Sequence, residues 1–80
     1  MKLYLISQGE IYGYDTYDSA VVSAPDEQTA INMHPSSGEQ VQWEARSNYC
    51  WAKDPKDVSC KYLGETTEPK GVICASFNAG

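Results

Sequence analysis

The stretch Lys2-Leu3-Tyr4-Leu5-Ile6-Ser7-Gln8 decides the fold class of this 80-residue chain. It is rich in residues that favour β-strands, and Leu3 and Leu5 alternate along it with Tyr4 and Ile6. Because both alternating sets are apolar, we predict a strand that is covered on both faces and therefore lies inside a sheet.

The residues that follow predict a hairpin and then a helix. Gly9 to Thr16 has the composition of a turn and should lead into a second strand at about Tyr17 to Ser23. Ser23-Ala24-Pro25-Asp26 is typical of a helix start, with Ser23 as the N-cap. The helix should end near His34, because a following proline disfavours helical geometry.

The second half of the chain predicts further strands. Val41 and Trp43 alternate with polar residues, but the sequence leaves open whether a middle strand forms there. Val58 to Leu63 and Gly71 to Asn78 are strand-like and predict a second hairpin, whose last strand is apolar enough to be buried and to pair with the first strand. The expected fold is a single α+β domain over residues 1–80, with one antiparallel sheet of four to five strands and one short helix packed on one face.

Charge is divided unevenly along the chain. Residues 1–44 hold seven of the eleven acidic residues and a single lysine, a charge of −6, whereas residues 45–80 carry +1. An acidic half repels nucleic acids and membrane surfaces and attracts basic proteins. We therefore expect a basic protein surface as the partner, with no direct nucleic-acid binding and no membrane association.

No catalytic motif or cofactor-binding motif stands out. Cys50, Cys60 and Cys74 have spacings that fit neither a disulfide framework nor a zinc site, so free thiols are the preferred interpretation, with Cys74 packed in an apolar strand. A nucleophilic role for Cys50 or Cys60 is disfavoured, because only scattered lysines lie nearby in sequence. The first apolar run is too short for a signal peptide or a membrane span, so we expect a cytoplasmic monomer without metal or cofactor.

The candidate contact residues are acids interleaved with tyrosines. Asp15, Asp18, Asp26 and Glu27 are the leading acids, followed by Glu10, Glu39 and Glu44, with Tyr12, Tyr14 and Tyr17 as anchoring aromatics. Asp15 and Asp18 could also be a solvated turn, Asp26 and Glu27 could serve only the helix start, and each tyrosine could simply pack at the sheet edge. Trp43, Tyr49 and Trp51 form a second aromatic cluster, which either closes the core or forms a contact patch.

A resemblance adds a more specific hypothesis. The opening strand, the segment Gly13 to Val22, the His34-Pro35 break and the ending Gly71 to Gly80 together resemble a group of small phage and prophage proteins. The match covers about half the chain and is weakest between Gly38 and Pro55. Among proteins of this kind are anti-CRISPR proteins, and the chain is similar to one directed at type I systems, type I-C among them.

The resemblance implies a non-enzymatic inhibitor in the bacterial host cell. It would bind the type I surveillance complex (Cascade) and block target DNA with acidic residues that imitate phosphates. The alternative is a small phage structural or assembly protein, which self-associates through a sheet edge or an aromatic patch.

Overall fold

The computed structural model describes residues 1–9, 16–43, 51–52 and 54–78. The strands are β1 (Lys2–Gln8), β2 (Thr16–Ala24), β3 (Val58–Glu65) and β4 (Gly71–Asn78). One α-helix, α1 (Glu27–Ile31), follows β2, and a single 3₁₀ turn (Pro55–Asp57) precedes β3. The strands form one antiparallel sheet in the order β3-β1-β2-β4, so the predicted α+β fold class is confirmed.

The hairpin of β1 and β2 is confirmed, and β1 lies inside the sheet. The two strands pair antiparallel from Lys2 opposite Ala24 to Ser7 opposite Ser19, and the predicted turn between them lies mostly outside the described residues. Tyr4 and Ile6 are buried, whereas Leu3 and Leu5 are only half-buried. The expectation that both faces of β1 are covered is therefore wrong for the second face.

The core lies between the covered face of the sheet and the segments packed on it. Among the described residues, eleven buried hydrophobic ones form a cluster, which joins Tyr4, Ile6 and Val22 of the sheet to Ala30 of α1 and to Trp51. Trp51 is fully buried and belongs to this core, although its Nε1 has no hydrogen-bond partner. Most of the apolar burial energy of the fold is thus on one side of the sheet.

The predicted second hairpin is wrong. β3 pairs with β1 and β4 pairs with β2, so the two strands lie at opposite edges of the sheet. Their connection, residues 66–70, crosses the ends of β1 and β2, a distance of about 14 Å at the usual strand spacing. It is tied down by Thr66 N–H, which donates to the Met1 carbonyl at 3.0 Å, and by the Ser23 hydroxyl, which donates to the Glu68 carbonyl at 3.0 Å.

The predicted burial of β4 is also wrong, as is its pairing with the first strand. Its Ile73, Cys74, Ser76 and Phe77 side chains are all exposed. An uncharged apolar strand is typical of a sheet interior, but in this sheet β4 is the outermost strand. Cys74 is therefore a free and exposed thiol rather than a packed one.

The helix begins later and ends earlier than predicted. β2 continues to Ala24, where it still pairs with Lys2, so Ser23 is a buried strand residue and Asp26 takes the N-cap position. At the other end Asn32 is the C-cap, and the chain turns so that Met33 forms an isolated bridge with Gln40. The covering layer therefore consists of one short helix and an irregular segment.

The middle segment forms no named strand as far as Trp43, and residues 44–50 lie outside the described part of the chain. Val41 is buried, and its N–H donates to the Asn32 carbonyl at 2.7 Å. The Trp43 indole N–H donates to the Asn32 side-chain oxygen at 2.7 Å. Trp43 thus packs beside the end of α1.

No helix among the described residues is long and apolar enough to cross a membrane.

Candidate functional site

Two of the predicted acids, Asp26 and Glu27, lie at the start of α1. Because β2 ends at Ala24, the chain is extended at Asp26, and its carboxylate accepts a hydrogen bond from the Thr29 N–H at 2.7 Å. This bond lowers the pKa of Asp26, and the positive charge of Lys2 lowers it further. Both acids are exposed, so the carboxylate of Asp26 is held in a fixed direction and remains open to solvent.

A third acid, Glu65, reaches the same end of the sheet from β3. It lies opposite Lys2 at the start of β1, and Lys2 in turn lies opposite Ala24 at the end of β2. The Tyr62 hydroxyl donates to the Glu65 carboxylate at 2.5 Å, and this hydrogen bond is the main cause of the raised Tyr62 pKa. Glu65 is therefore also held in place by a neighbouring side chain.

The strand pairing brings these carboxylates to the end of the sheet where Tyr4 lies. Tyr4 packs edge-on against Tyr62, with ring centroids 5.8 Å apart. Burial raises the pKa of its phenol, and the charges of Cys60, Asp26, Glu27 and Glu65 raise it further. Acids from α1 and from β3 thus act on a single side chain, and we name Asp26, Glu27 and Glu65 the acidic end.

The acidic end is not free of positive charge. Lys2 lies within it, Glu68 and Lys70 follow in the crossing connection, and all three are exposed. Counting these with the three acids gives four carboxylates and two ammonium groups. This end of the sheet is therefore negative overall. Its lysines lie on β1 and in the crossing connection, whereas α1 contributes only acids.

The other described acids lie elsewhere. Asp18 is a bulge residue near the start of β2, between the pairs that Tyr17 and Ser19 make with β4. Six positions along β2 lead from Asp18 to Ala24, about 20 Å, so Asp18 and Asp26 lie at opposite ends of the sheet. Glu39 is exposed in the turn after α1, where its carbonyl accepts the His34 N–H at 2.8 Å.

Several predicted contact residues lie outside the described part of the chain, namely Glu10, Tyr12, Tyr14, Asp15 and Glu44. Tyr17 is described and is half-buried. Its ring lies 4.6 Å from that of Phe77 and 6.2 Å from that of His34, measured between centroids. Tyr17 therefore has a packing role at the far end of the sheet.

His34 is held as a hydrogen-bond acceptor. Its Nδ1 lies 3.1 Å from the Ser36 backbone N–H, which donates to it, and 2.8 Å from the Ser36 hydroxyl. Burial lowers the pKa of the ring, so the neutral form is favoured. The arrangement stabilises the turn after α1.

Two of the three cysteines are described, and both are free thiols. Cys60 is half-buried on β3, where burial and then the charge of Glu27 raise its pKa to about 11. A thiolate at Cys60 is thus strongly disfavoured near neutral pH. No group of three potential metal ligands occurs among the described residues.

A polar cavity of about 270 Å³ lies beside α1. Its lining is mainly amide and hydroxyl side chains, with one ammonium group: Gln28, Thr29, Asn32, Met33, Gly38, Gln40 and Lys70. The Asn32 amide is already engaged, since it donates to the Gln28 carbonyl and accepts from Trp43. Such a lining can hydrogen-bond a small ligand, and Lys70 is the charged side chain in it.

Sequence reasoning missed Glu65, because it lies in the nearly neutral half of the chain. It joins the acidic end only through the pairing of β3 with β1, in which Glu65 lies opposite Lys2, and no local pattern signals a pairing so distant in sequence. Comparison with protein-family models, with curated proteins and with solved structures finds no match.

Proposed function

We propose that this protein is a non-enzymatic inhibitor that binds a basic, nucleic-acid-binding protein surface through its acidic end. The observation that carries the proposal is the strand pairing that places Asp26, Glu27 and Glu65, from two distant segments, at one end of the sheet. Two of these carboxylates are oriented by hydrogen bonds, so little conformational entropy is lost when they contact a partner.

The partner proposed is the DNA-binding surface of a type I CRISPR surveillance complex. Such a surface presents lysines and arginines to a duplex that carries one negative charge per about 1.7 Å of its axis, and fixed carboxylates can compete for them. The net charge of −5 favours a basic partner and disfavours DNA itself. The resemblance to small phage proteins supports this choice of complex.

The test is a competition experiment with a purified type I-C surveillance complex and labelled target duplex DNA. The wild-type protein should bind the complex and displace the duplex, and higher salt should weaken the binding by slowing association. A complex that binds its target DNA equally well with and without the protein would remove this partner from consideration.

Two double variants locate the surface. Glu27→Lys with Glu65→Lys alters the acidic end and leaves the Asp26 cap intact. Asp18→Lys with Asp57→Lys makes the same change of charge at the far end of the sheet, where Val58 pairs with Gln8. The first variant should weaken binding by about tenfold or more, and the control should weaken it much less.

Circular dichroism shows whether both double variants keep the fold. If the Asp18 and Asp57 changes abolish binding while Glu27 and Glu65 tolerate theirs, the contact surface lies at the other end of the sheet. Equal losses for both variants would indicate a response to net charge alone, with no defined acidic surface.

A further inference from the structure

β4 is an edge strand with the composition of an interior strand. It lies outermost in the sheet, and none of its residues Gly71–Asn78 is charged. Ile73 is 47% exposed and Phe77 44% exposed, and they are among the largest exposed hydrophobic residues of the described chain. Exposed edges of this kind offer free backbone N–H and C=O groups to another strand.

The opposite edge is protected in ways that β4 is not. β3 carries Lys61 and Glu65, and its register with β1 shifts at Leu63. Charges and bulges are the usual means of preventing strand addition at an edge. β4 carries no charge, and its own irregularity lies at Ile73, whereas the second register shift of this pair is the Asp18 bulge on β2.

We propose that β4 pairs antiparallel with β4 of a second copy of this chain, joining two sheets across a two-fold axis. In such an isologous pair the start of each strand lies beside the end of the other. Lys70 precedes β4, and Asp18 lies on β2 beside the end of β4, between the positions of Ser76 and Phe77. Antiparallel pairing therefore brings Lys70 of each copy toward Asp18 of the other across two strand spacings, about 10 Å, so the opposite charges attract at long range.

This charge arrangement favours a second copy over an unrelated strand. Each chain has a net charge of −5 and should repel another, but the pairing edge itself is neutral and its two flanking charges are complementary. An unrelated strand would gain the same backbone hydrogen bonds but would have to supply matching charges of its own. The acidic end is not used by the pairing strand, so this inference stands without the proposed inhibitor role.

The first test is the mass of the protein in solution, measured by sedimentation equilibrium over a wide range of concentration. The wild-type chain should change from monomer to dimer as concentration rises. Cys74→Lys, which sets two lysines near each other at the centre of the pair, should remain monomeric. Ser59→Lys adds the same charge to an exposed position of β3 and should dimerise like the wild type.

A second test uses Cys74 as a probe of the pairing. In a Cys50→Ser, Cys60→Ser chain it is the single thiol, and it lies near the middle of β4. Opposed residues of antiparallel strands have Cα atoms about 4.5–5.5 Å apart, within disulfide range. Diamide, which takes up the two hydrogens as two thiols join, should therefore link two chains rapidly through Cys74. A chain with Ser59→Cys as its single thiol should link far more slowly.

The outcomes separate clearly. A monomer at every concentration overturns the proposal, as does a dimer that Cys74→Lys does not weaken. An open-ended series of larger species would mean that β4 pairs with a different edge, and it also contradicts a closed dimer. If Cys74→Lys fails to fold by circular dichroism, Ser76→Lys at another exposed position of β4 replaces it, with the same expected result.

Discussion

The two faces of the sheet differ although the same strands build both. On β1, Ile6 is fully buried, and Leu5, one position earlier, is half-buried. On β2, Val22 is fully buried and Val21 is half-buried. One face carries the core with α1 above it, whereas Leu5 and Val21 on the second face are half-buried and Ser23 lies beneath the crossing connection. The stability of the fold therefore depends mainly on one face of the sheet.

The largest expected effect is a difference in stability between the faces. Ile6→Ala should lower the free energy of unfolding by about 2–5 kcal/mol, because it leaves a cavity in the core. Leu5→Ala should lower it by about 1 kcal/mol, because a half-buried side chain loses less burial and leaves no closed cavity. Urea unfolding followed by circular dichroism measures both.

Val21 and Val22 allow the two faces to be compared with identical side chains, whereas Ile6 and Leu5 differ in shape. Val22→Ala and Val21→Ala delete the same atoms from adjacent positions of β2, so the first should cost clearly more than the second. Equal costs within either pair would show that the second face is packed as tightly as the first, which would contradict the comparison.

The next effect concerns two thiols in different surroundings. With single-cysteine chains near pH 8, Cys74 should react with Ellman's reagent about tenfold or more faster than Cys60, because the pKa of Cys60 is raised to about 11 and its thiolate is scarce. Cys60 is also half-buried against the core, whereas Cys74 is exposed. In urea the two rates should become similar, and a difference that persisted there would assign the effect to local sequence instead of the fold.

A smaller effect is expected from the helix cap that holds α1 over the covered face. Asp26→Ala should lower Tm by a few degrees, because it removes the hydrogen bond to Thr29 at the start of the helix. Asp54→Ala removes a similar bond, to the Lys56 N–H, from the 3₁₀ turn, which contains no buried residue. This control should change Tm less. A larger shift for Asp54→Ala than for Asp26→Ala would mean that α1 contributes little to the stability of the layer over the covered face.

Local patterns were sufficient for much of this fold. The bounds of β1 and β4 agree with those predicted from alternation and composition, as does the hairpin of β1 with β2. The start of α1 was misplaced because Ser23 and Asp26 are equally good caps by residue type. The choice between them depends on how far β2 pairs with β1, which is a property of the sheet.

The partners of β3 and β4 could not be predicted for a related reason. A five-residue connection suits either a hairpin or a crossing over two strand ends, and the sequence does not distinguish them. β4 was predicted to be buried because an uncharged apolar strand usually lies inside a sheet. Its edge position depends on the crossing connection, which the sequence does not reveal. The acidic end was predicted only in part, because Glu65 reaches Asp26 and Glu27 through non-local pairing.

The smallest expected effect is a pH dependence of stability from His34, in the segment that follows α1. Its folded-state pKa lies below the usual 6.5, because burial disfavours the charged ring. The unfolded chain therefore binds this proton more readily. The stability that neutral His34 contributes should be fully present above about pH 6.5 and should be lost as the pH falls from there through the folded-state pKa.

Protonation at Nδ1 would also replace the acceptor that Ser36 N–H requires. His34→Asn keeps an acceptor but cannot titrate, and His34 is the only histidine. The difference in unfolding free energy between wild type and this variant should thus vary with pH only between about pH 6.5 and the folded-state pKa. A difference that stayed constant over this range would exclude His34 as the cause of a pH-dependent stability.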